Sequence, residues 1–321
     1  MRDILVTGGA GFIGSHVVEA FLRAGDRVWV VDDLSSGHRR NVPADAQLLE
    51  ADVRSAEVAA LLRTQRFAVI AHLAAQIDVR RSVADPRADL DVNAAGTLNL
   101  LEALRALPVG ERGRFVFVST GGALYGDAAQ IPSPERTPTN PDAPYGISKL
   151  AAEHYAAAYG RVHGLETVVL RLGNVYGPRQ DPHGEAGVVA IFCGRLHRGE
   201  SLTIFGTGEQ ERDYVYVEDV ARAVLAAAAA PLPAAGALDA RAFNVGTGIG
   251  TSVLSLADTL ARVADRPLRT QHEAKRAGEL DRSVLDASKA ATMLAWRPEV
   301  DLVEGLRRTY RWFEGQERAL G

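Results

Sequence analysis

Cysteine is nearly absent from this chain of 321 residues, in which Cys193 is the only one. A single thiol excludes an internal disulfide and a zinc site built from several cysteines. The eight histidines are scattered, with no HExxH motif and no paired spacing, and we therefore predict no metal site. Because reduced thiols persist in the cytoplasm, we expect the protein to be cytoplasmic.

Long apolar runs and an excess of positive charge are also missing. No stretch reaches the roughly 18 to 20 apolar residues that a membrane-spanning helix needs. The formal net charge of −4 gives no general attraction to nucleic acid or to an anionic membrane. We therefore expect neither a nucleic acid nor a membrane as a partner.

Short apolar runs alternate with helical patterns through the first half of the chain. The predicted strands are DILVTG (3–8), RVWVVDD (27–33), AQLLEADV (46–53), FAVIAHLAA (67–75), RFVFVST (114–120) and ETVVLRLG (166–173). Continuous apolar strands that alternate with helices predict a parallel sheet covered on both faces. The predicted fold class is therefore α/β, with a doubly wound parallel sheet of the Rossmann type.

This alternation ends after about residue 176, where a loop, scattered short strands and further helices follow. The later segments predict a smaller, discontinuous C-terminal portion that lies over the carboxyl edge of the sheet and binds the substrate. The predicted sheet domain covers 1–175 and about 216–248. The predicted second domain covers about 176–215 and 249–321.

The stretch TGGAGFIG directly follows the first predicted strand and begins the first predicted helix. It contains Gly9-x-Gly11-x-x-Gly14, and Gly8 precedes these glycines. In this context the pattern is typical of dinucleotide binding, because glycines permit a tight turn and let backbone N–H groups approach a pyrophosphate. The N-terminus of the helix also favours negative charge.

Carboxylates follow the next two predicted strands. Asp32 and Asp33 end the second strand, where a carboxylate can accept hydrogen bonds from both hydroxyls of an adenosine ribose. The same carboxylate would repel a 2′-phosphate, so the sequence favours NAD over NADP. Asp52 and Val53 end the third strand, in a suitable position for the adenine edge.

Lysine is the other scarce residue, since only three of the 36 cationic residues are lysines. One of them, Lys149, lies four residues after Tyr145, so the two share one face of a predicted helix. An ammonium one turn away stabilises a phenolate and lowers the pKa of the phenol from about 10. Lysine is also compact and has three rotatable donors suited to ribose hydroxyls, whereas arginine is a rigid fork. The spacing predicts Tyr145 as an acid/base group and Lys149 as its modulator.

Further short motifs occur in one order with these features, namely HLAAQ (72–76), STGGALYG (119–126), PYGISK (144–149) and GNVYGPRQ (173–180). Together they resemble the extended short-chain dehydrogenase/reductase family, and within it the UDP-glucose (UDP-galactose) 4-epimerases and their nucleotide-sugar relatives. The resemblance runs from Leu5 to about Lys289, nearly the whole chain.

The resemblance implies an isomerase of carbohydrate metabolism that binds NAD and epimerises a UDP-sugar at C4. UDP-glucose/UDP-galactose is the implied pair, with UDP-GlcNAc/UDP-GalNAc as a further candidate. In the implied reaction Tyr145 takes the proton of the sugar 4-OH while hydride passes from C4 to the nicotinamide. The transient 4-keto sugar turns over in the site and receives hydride on its opposite face. The resemblance also implies a homodimer formed through helices near 94–107 and 146–162.

The resemblance further implies a set of cofactor-binding residues: Gly8, Gly11, Phe12, Ile13, Gly14, Asp32, Asp33, Asp52, Val53, Leu73, Ala74, Ala75, Tyr145 and Lys149. The catalytic residues are Tyr145, Lys149 and a hydroxyl partner. Counting back from Tyr145 selects Thr120 as that partner, whereas counting from Gly126 selects Gly121, which has no hydroxyl. Ser119 is the alternative.

The implied substrate-binding residues are Thr120, Tyr145, Asn174, Val189, Ile204, Phe205, Arg212, Arg276, Glu279 and Ser283. By the resemblance, Ile204 and Phe205 lie near the base, Arg212 and Arg276 near the diphosphate, and Glu279 near the ribose. In the family a bulky tyrosine at the position of Ser283 excludes N-acetyl groups. A serine here predicts a roomier site.

Three alternatives stay open. A 4,6-dehydratase usually has Asp-Glu directly after the threonine, where this chain has Gly121 and Gly122, and is the least expected enzyme. A uronate 4-epimerase or a decarboxylase needs a cation near the C6 carboxylate, which Arg80 or Arg81 would supply. A non-catalytic NAD-binding regulator shares the fold, but such proteins typically lack the tyrosine or the lysine.

Overall fold

The computed structural model describes residues 1–128, 130–183, 187–275 and 280–318. Within these ranges the strands are β1 (Asp3–Thr7), β2 (Arg27–Asp32), β3 (Gln47–Glu50), β4 (Val69–His72), β5 (Arg114–Thr120), β6 (Thr167–Leu172), β7 (Asn174–Tyr176), β8 (Leu202–Phe205), β9 (Glu211–Tyr216), β10 (Ala242–Val245), β11 (Gly250–Ser252), β12 (Thr270–Glu273) and β13 (Arg282–Ser283).

The α-helices are α1 (Phe12–Arg23), α2 (Ala56–Thr64), α3 (Val79–Ala84), α4 (Pro86–Leu90), α5 (Gly96–Arg105), α6 (Pro144–His163), α7 (Val188–His197), α8 (Val217–Ala229), α9 (Val253–Val263), α10 (Ser288–Met293) and α11 (Leu302–Arg318). A π-helical turn, Asp91–Ala95, joins α4 to α5. No helix among the described residues is long and apolar enough to cross a membrane.

Seven of the strands form one parallel sheet in the order β10-β6-β5-β4-β1-β2-β3. Strand β1 lies near its centre, with Leu5 beside Trp29 of β2 on one side and Ile70 of β4 on the other. Both faces are covered: Ile4 and Val6 belong to one buried apolar cluster, whereas Leu5 belongs to the other. The predicted α/β fold with a doubly wound parallel sheet is confirmed.

Helices α1 and α8 pack against each other on one face of this sheet, and α2, α5 and α6 lie on the other. Because all seven strands run in the same direction, their carboxyl ends and the loops that follow them meet at one edge. The segments predicted to carry the chemistry follow β1, β2, β3, β4, β5 and β6, so the topology collects them there.

Smaller sheets adjoin this edge. Strand β7 continues from β6 after Gly173 and pairs with β9, which also pairs with β11 and β13. Strands β8 and β12 form a separate pair. A third apolar cluster, built from α7, α9, α11 and the strands between them, fills this part of the molecule.

Candidate active site

The turn between β1 and α1 leaves no room for a side chain at Gly8 or Gly14. Gly8 has a φ of +72°, and a Cβ there would lie 2.6 Å from the amide nitrogen of Ala74. A Cβ on Gly14 would lie 2.0 Å from the carbonyl oxygen of Gly8. Gly11 is the N-cap of α1, and none of the described side chains caps this helix. The first-turn N–H groups therefore fit an anion such as a pyrophosphate.

The two aspartates at the end of β2 have different environments. Asp32 is buried and accepts hydrogen bonds from the backbone N–H groups of Ala10 and Leu34, both at 2.9 Å. Burial raises the pKa of Asp32 despite these bonds. Asp33 is exposed and accepts from the backbone and the hydroxyl of Ser35 at 3.0 and 2.6 Å. Asp32 is thus fixed beside the glycine turn, where a ribose would lie.

Asp52 follows β3 and is already engaged by a neighbour. It accepts hydrogen bonds from the backbone N–H and the Nε of Arg54 at 2.8 and 2.9 Å, and this guanidinium lowers the pKa of Asp52. The adjacent Val53 is buried against Gly96, where a Cβ would lie 2.9 Å from the Val53 side chain. The strand end predicted to reach the adenine is therefore packed firmly against the start of α5.

The segment after β4 lies against the glycine turn. The backbone N–H of Leu73 donates to the carbonyl of Thr7 at 3.0 Å, and that of Ala74 donates to the Thr7 hydroxyl at 3.3 Å. The structure therefore brings two predicted cofactor segments together. Their half-buried members are Phe12 and Ile13 in the first turn of α1, and Leu73, Ala74 and Ala75 after β4.

Lys149 is buried beneath the end of β5, with 3% of its surface exposed. Its Nζ donates a hydrogen bond to the carbonyl oxygen of Val118 at 2.7 Å and lies 4.2 Å from the centre of the Phe117 ring. Burial lowers the pKa of Lys149 to about 7, although the carboxylates of Glu153 and Asp89 oppose the change. The ammonium is therefore held in the protein interior and is easily deprotonated for a lysine.

Tyr145, in the first turn of α6, is half-buried. Burial raises the pKa of Tyr145 to about 12, and the negative charge of Asp89 acts in the same direction. The effect of Lys149 on this phenol stays a prediction, and desolvation is the largest cause of the raised pKa. Burial penalises the charged phenolate, and the Lys149 ammonium is directed towards the carbonyl of Val118.

The two hydroxyls at the end of β5 are arranged differently. Ser119 is buried, and its Oγ has no hydrogen-bond partner among the described residues. Thr120 is half-buried at the strand end, and its Oγ1 accepts a hydrogen bond from the N–H of Ala123 at 3.3 Å. Thr120 is therefore the more open of the two candidates, and Ser119 is enclosed in the sheet beside Arg171.

Gly122, the second glycine after Thr120, faces two of the predicted substrate residues. A Cβ on Gly122 would lie 3.8 Å from Oδ1 of Asn174 and 3.9 Å from Oγ of Ser283. Ser283 is also the cross-strand neighbour of Arg212 in the pair of β13 and β9. The structure thus gathers Gly122, Asn174, Ser283 and Arg212 around one region beyond the edge of the large sheet.

The remaining predicted substrate residues do not lie together in this region. Val189 and Ile204 are buried in the apolar cluster of the smaller sheets, whereas Phe205 is half-buried. Arg276 and Glu279 lie outside the described residues. Both arginines considered for a uronate, Arg80 and Arg81, are exposed on α3.

Asp213, a buried residue that no quoted motif singled out, holds the smaller sheet to the large one. It accepts hydrogen bonds from the N–H and hydroxyl of Thr247 at 2.7 and 2.6 Å, and from the N–H groups of Gly248 and Leu285 at 3.1 and 3.2 Å. Its place beside Arg212 was the signal available in the sequence. Asp213 fixes β9, and so Arg212, relative to the turn after β10 and to the segment after β13.

Among the described residues, no group of three or more His, Cys, Asp or Glu side chains is arranged to hold a metal ion. The groups that converge at the carboxyl edge are instead a phenol, a lysine, hydroxyls and backbone N–H donors. That set is suited to moving a proton and to binding a dinucleotide.

The chain matches the family model described as the NAD dependent epimerase/dehydratase family over residues 4–246. It is 42% identical over 319 residues to UDP-glucose 4-epimerase of Mycolicibacterium smegmatis, covering 98% of this chain and 99% of that protein. The structure is similar to that of UDP-glucose 4-epimerase from Thermotoga maritima with UDP-glucose, with a TM-score of 0.92, 43% identity and coverage of 98% and 99% of the two chains. It is also similar to the Thermus thermophilus UDP-glucose 4-epimerase complex with NAD, with a TM-score of 0.89, 44% identity and the same coverage.

Proposed function

Since the chain belongs to the NAD-dependent epimerase/dehydratase family, we propose that it interconverts a UDP-sugar and its 4-epimer, with UDP-glucose and UDP-galactose as the first candidates. One observation carries the proposal. The glycine turn and the Tyr145–Lys149 helix meet at one sheet edge, in a chain that matches UDP-glucose 4-epimerases with UDP-glucose or with NAD over 98% of its length.

NAD is the cofactor of this proposal, and the residues present fit it. The turn from Gly8 to Gly14 offers backbone N–H groups to the pyrophosphate, and Asp32 lies beside the turn to accept from the ribose hydroxyls. Asp33, Asp52, Val53 and the Leu73–Ala75 segment complete the proposed cofactor site. When bound, NAD supplies the acceptor and the donor of the hydride at the sugar C4.

Tyr145 is the proposed acid/base group at the sugar 4-OH. Lys149, four residues further along the same helix face, is the proposed source of the positive charge that stabilises the Tyr145 phenolate. Thr120 is the proposed partner that holds the sugar oxygen, and Ser119 is the alternative. Together these residues would take the proton from the 4-OH and return it to the 4-keto sugar.

The proposed nucleotide-sugar site lies around Asn174, Phe205, Arg212 and Ser283, with Val189 and Ile204 behind it and Arg276 and Glu279 in its second phosphate-binding stretch. A specific observation favours a wider substrate range. Gly122 carries no side chain, and the short Ser283 side chain faces it, so nothing bulky from these two positions fills the space. We therefore also propose UDP-GlcNAc/UDP-GalNAc as substrates.

The domain division is a proposal of the same kind. The cofactor part is 1–175 with about 216–248, and the nucleotide-sugar part is about 176–215 with 249–321. Strand β10 in the large sheet and β9, β11 and β13 in the smaller one support this division. The cytoplasmic location stays a prediction.

A homodimer is proposed through α5 and α6. A groove of about 620 Å³ lies beside these helices, and its lining includes Leu98 of α5, Ala151 and Tyr155 of α6, and the charged side chains of Arg87 and Asp91. Light scattering on the purified protein is expected to give the mass of two chains, and an Ala151→Glu variant the mass of one. A monomeric wild-type protein would refute this proposal.

Purified protein without added cofactor, incubated separately with UDP-glucose, UDP-GlcNAc and UDP-glucuronate, tests the function. Chromatography is expected to show the 4-epimer of UDP-glucose and release of NAD from denatured protein. Tyr145→Phe should lose most of the turnover while retaining its NAD. Near-normal turnover in that variant would refute the role of Tyr145, and no conversion by the wild type even with NAD added would refute the function.

A further inference from the structure

A buried carboxylate lies behind the Tyr145–Lys149 pair and belongs to a different part of the chain. Asp89, in the short helix α4, has 1% of its surface exposed. Helix α4 packs directly against α6 and against the π-helical turn that follows it. Burying a carboxylate costs a large desolvation free energy, so the groups that surround Asp89 indicate its role.

Three neutral donors hold this carboxylate. One oxygen accepts from the hydroxyl of Ser148 at 2.5 Å. The other accepts from Nε2 of Gln76 at 2.8 Å and from Nδ2 of Asn93 at 3.3 Å. Asn93 lies in the π-helical turn and also bonds the backbone of Gln76 through both of its amide atoms. Asp89 therefore joins the loop after β4, the π-helical turn and α6.

The connection to α6 is made at its first turn. Ser148 lies between Tyr145 and Lys149 in the sequence, and its single hydroxyl proton is shared between Asp89 at 2.5 Å and the carbonyl of Tyr145 at 3.0 Å. The backbone N–H of Tyr145 donates to the Ser82 hydroxyl at 3.1 Å. The position of the Tyr145 backbone is thus fixed from α3 and, through Ser148, from α4.

The electrostatic surroundings of Asp89 distinguish it from the other buried acid nearby. Glu153, one turn beyond Lys149, forms an ion pair with Arg171 at 2.7 Å. Asp89 is held by neutral groups, and its charge raises the pKa of both Tyr145 and Lys149, whereas Glu153 acts on Lys149 only, and there more strongly than Asp89. The buried titratable or charged groups on α6 and on the elements packed against it are Asp89, Lys149, Glu153 and Arg171, with Tyr145 half-buried on α6 and His72 buried nearby on β4. The others on these elements lie at or near the surface.

We propose that Asp89 is a positioning residue for the Tyr145–Lys149 pair: through Ser148 it fixes the first turn of α6, and its buried negative charge sets the range of pH over which the pair works. This inference rests on the proposed function. It agrees with the effect of Asp89 on both partners, since its charge raises the pKa of Tyr145 and that of Lys149. His72 stays neutral in the same region, because burial lowers its pKa to about 3.

Asp89→Asn tests the role of the charge, because the amide keeps the size of the side chain and one acceptor oxygen. Removing the charge should lower the pKa of both partners, so both limbs of the pH profile of kcat should move to lower pH by about 1 unit. Asp219→Asn is the matched control: Asp219 is also fully buried but is held at the start of α8 by Arg222 and the N–H of Val300. The limbs of the pH profile of this control variant should not move.

Ser148→Ala tests the positioning role and keeps the charge. Its kcat should fall about 10-fold or more, while KM stays nearly unchanged and both limbs of the pH profile stay in their wild-type positions. Ser148→Thr keeps the hydroxyl and should recover part of the rate. A lower maximum without movement of the limbs in Asp89→Asn would overturn the proposal. An unchanged kcat in Ser148→Ala would also overturn it, and this variant remains decisive if Asp89→Asn does not fold.

A second readout does not depend on turnover. The near-ultraviolet absorbance of the phenolate, taken as the difference between each protein and its Tyr145→Phe counterpart, reports the titration of Tyr145 alone. This titration should move to lower pH in Asp89→Asn, and an unchanged titration would overturn the proposal. A wild-type protein that epimerises no UDP-sugar, with the titration shifted as expected, would refute the proposed function and leave the charge effect standing.

Discussion

Replacing Lys149 with methionine should make the protein more stable and, by the proposed function, inactive. Burial lowers the pKa of Lys149 from its ordinary value of 10.5 to about 7. Since each pH unit between these values is worth about 1.4 kcal/mol, the buried ammonium costs about 5 kcal/mol below pH 7. Methionine has a similar length and no charge, but it leaves the carbonyl of Val118 without its 2.7 Å hydrogen bond, a loss of about 1 to 3 kcal/mol. The net gain should be about 2 to 4 kcal/mol.

The sign of the pH dependence follows from the same pKa. Between pH 7 and 10.5 the unfolded chain keeps a proton on Lys149 that the folded chain has released. The wild type should therefore gain stability as the pH rises through this range, and Lys149→Met should not show this gain. The advantage of the variant should shrink by about 1.4 kcal/mol per pH unit, and it should vanish or reverse by about pH 10.

Urea unfolding of both proteins between pH 6 and about 10, with the free energies of unfolding subtracted at each pH, measures this difference. Lys275→Met is the control, because the Lys275 side chain is 54% exposed and its removal should give no such trend. A Lys149→Met variant that is less stable than the wild type at pH 6, or a difference that does not change with pH, would refute the reasoning.

Three further predictions concern packing and specificity. Glu153→Gln leaves the guanidinium of Arg171 buried without its anionic partner. Urea unfolding should show a free energy of unfolding lower by about 3 to 5 kcal/mol, and a loss below about 1 kcal/mol would count against a tightly coupled pair. Gly14→Ala places a Cβ 2.0 Å from the carbonyl oxygen of Gly8, so bound NAD and the melting temperature should both fall, and normal values of both would contradict the tight turn. Ser283→Tyr should remove turnover of UDP-GlcNAc while UDP-glucose is still converted, and an equal loss on both would argue against a role of this position in specificity.

The parts of the protein that the sequence determined by itself are those governed by local periodicity. The strand ending at Thr7, the glycine turn after it and the helix beginning at Phe12 follow from neighbouring residues alone, because the turn needs glycine and the strand needs apolar side chains on both faces. The i, i+4 relation of Tyr145 and Lys149 is equally local. The parallel α/β class follows from the amino-acid sequence for the same reason, because apolar strands and helical patterns alternate along the chain.

Only the tertiary structure decided the features that depend on distant segments. The place of β10 beside β6 joins segments about 70 residues apart, and no local pattern specifies that pairing. Burial, which cannot be read from local spacing, raises the pKa of Tyr145, and the fold places the Lys149 ammonium against the carbonyl of Val118. Asp89 reaches this pair from a helix more than 50 residues earlier. A sequence presents chemical groups and their local spacing, whereas desolvation and charge depend on what the fold packs around them.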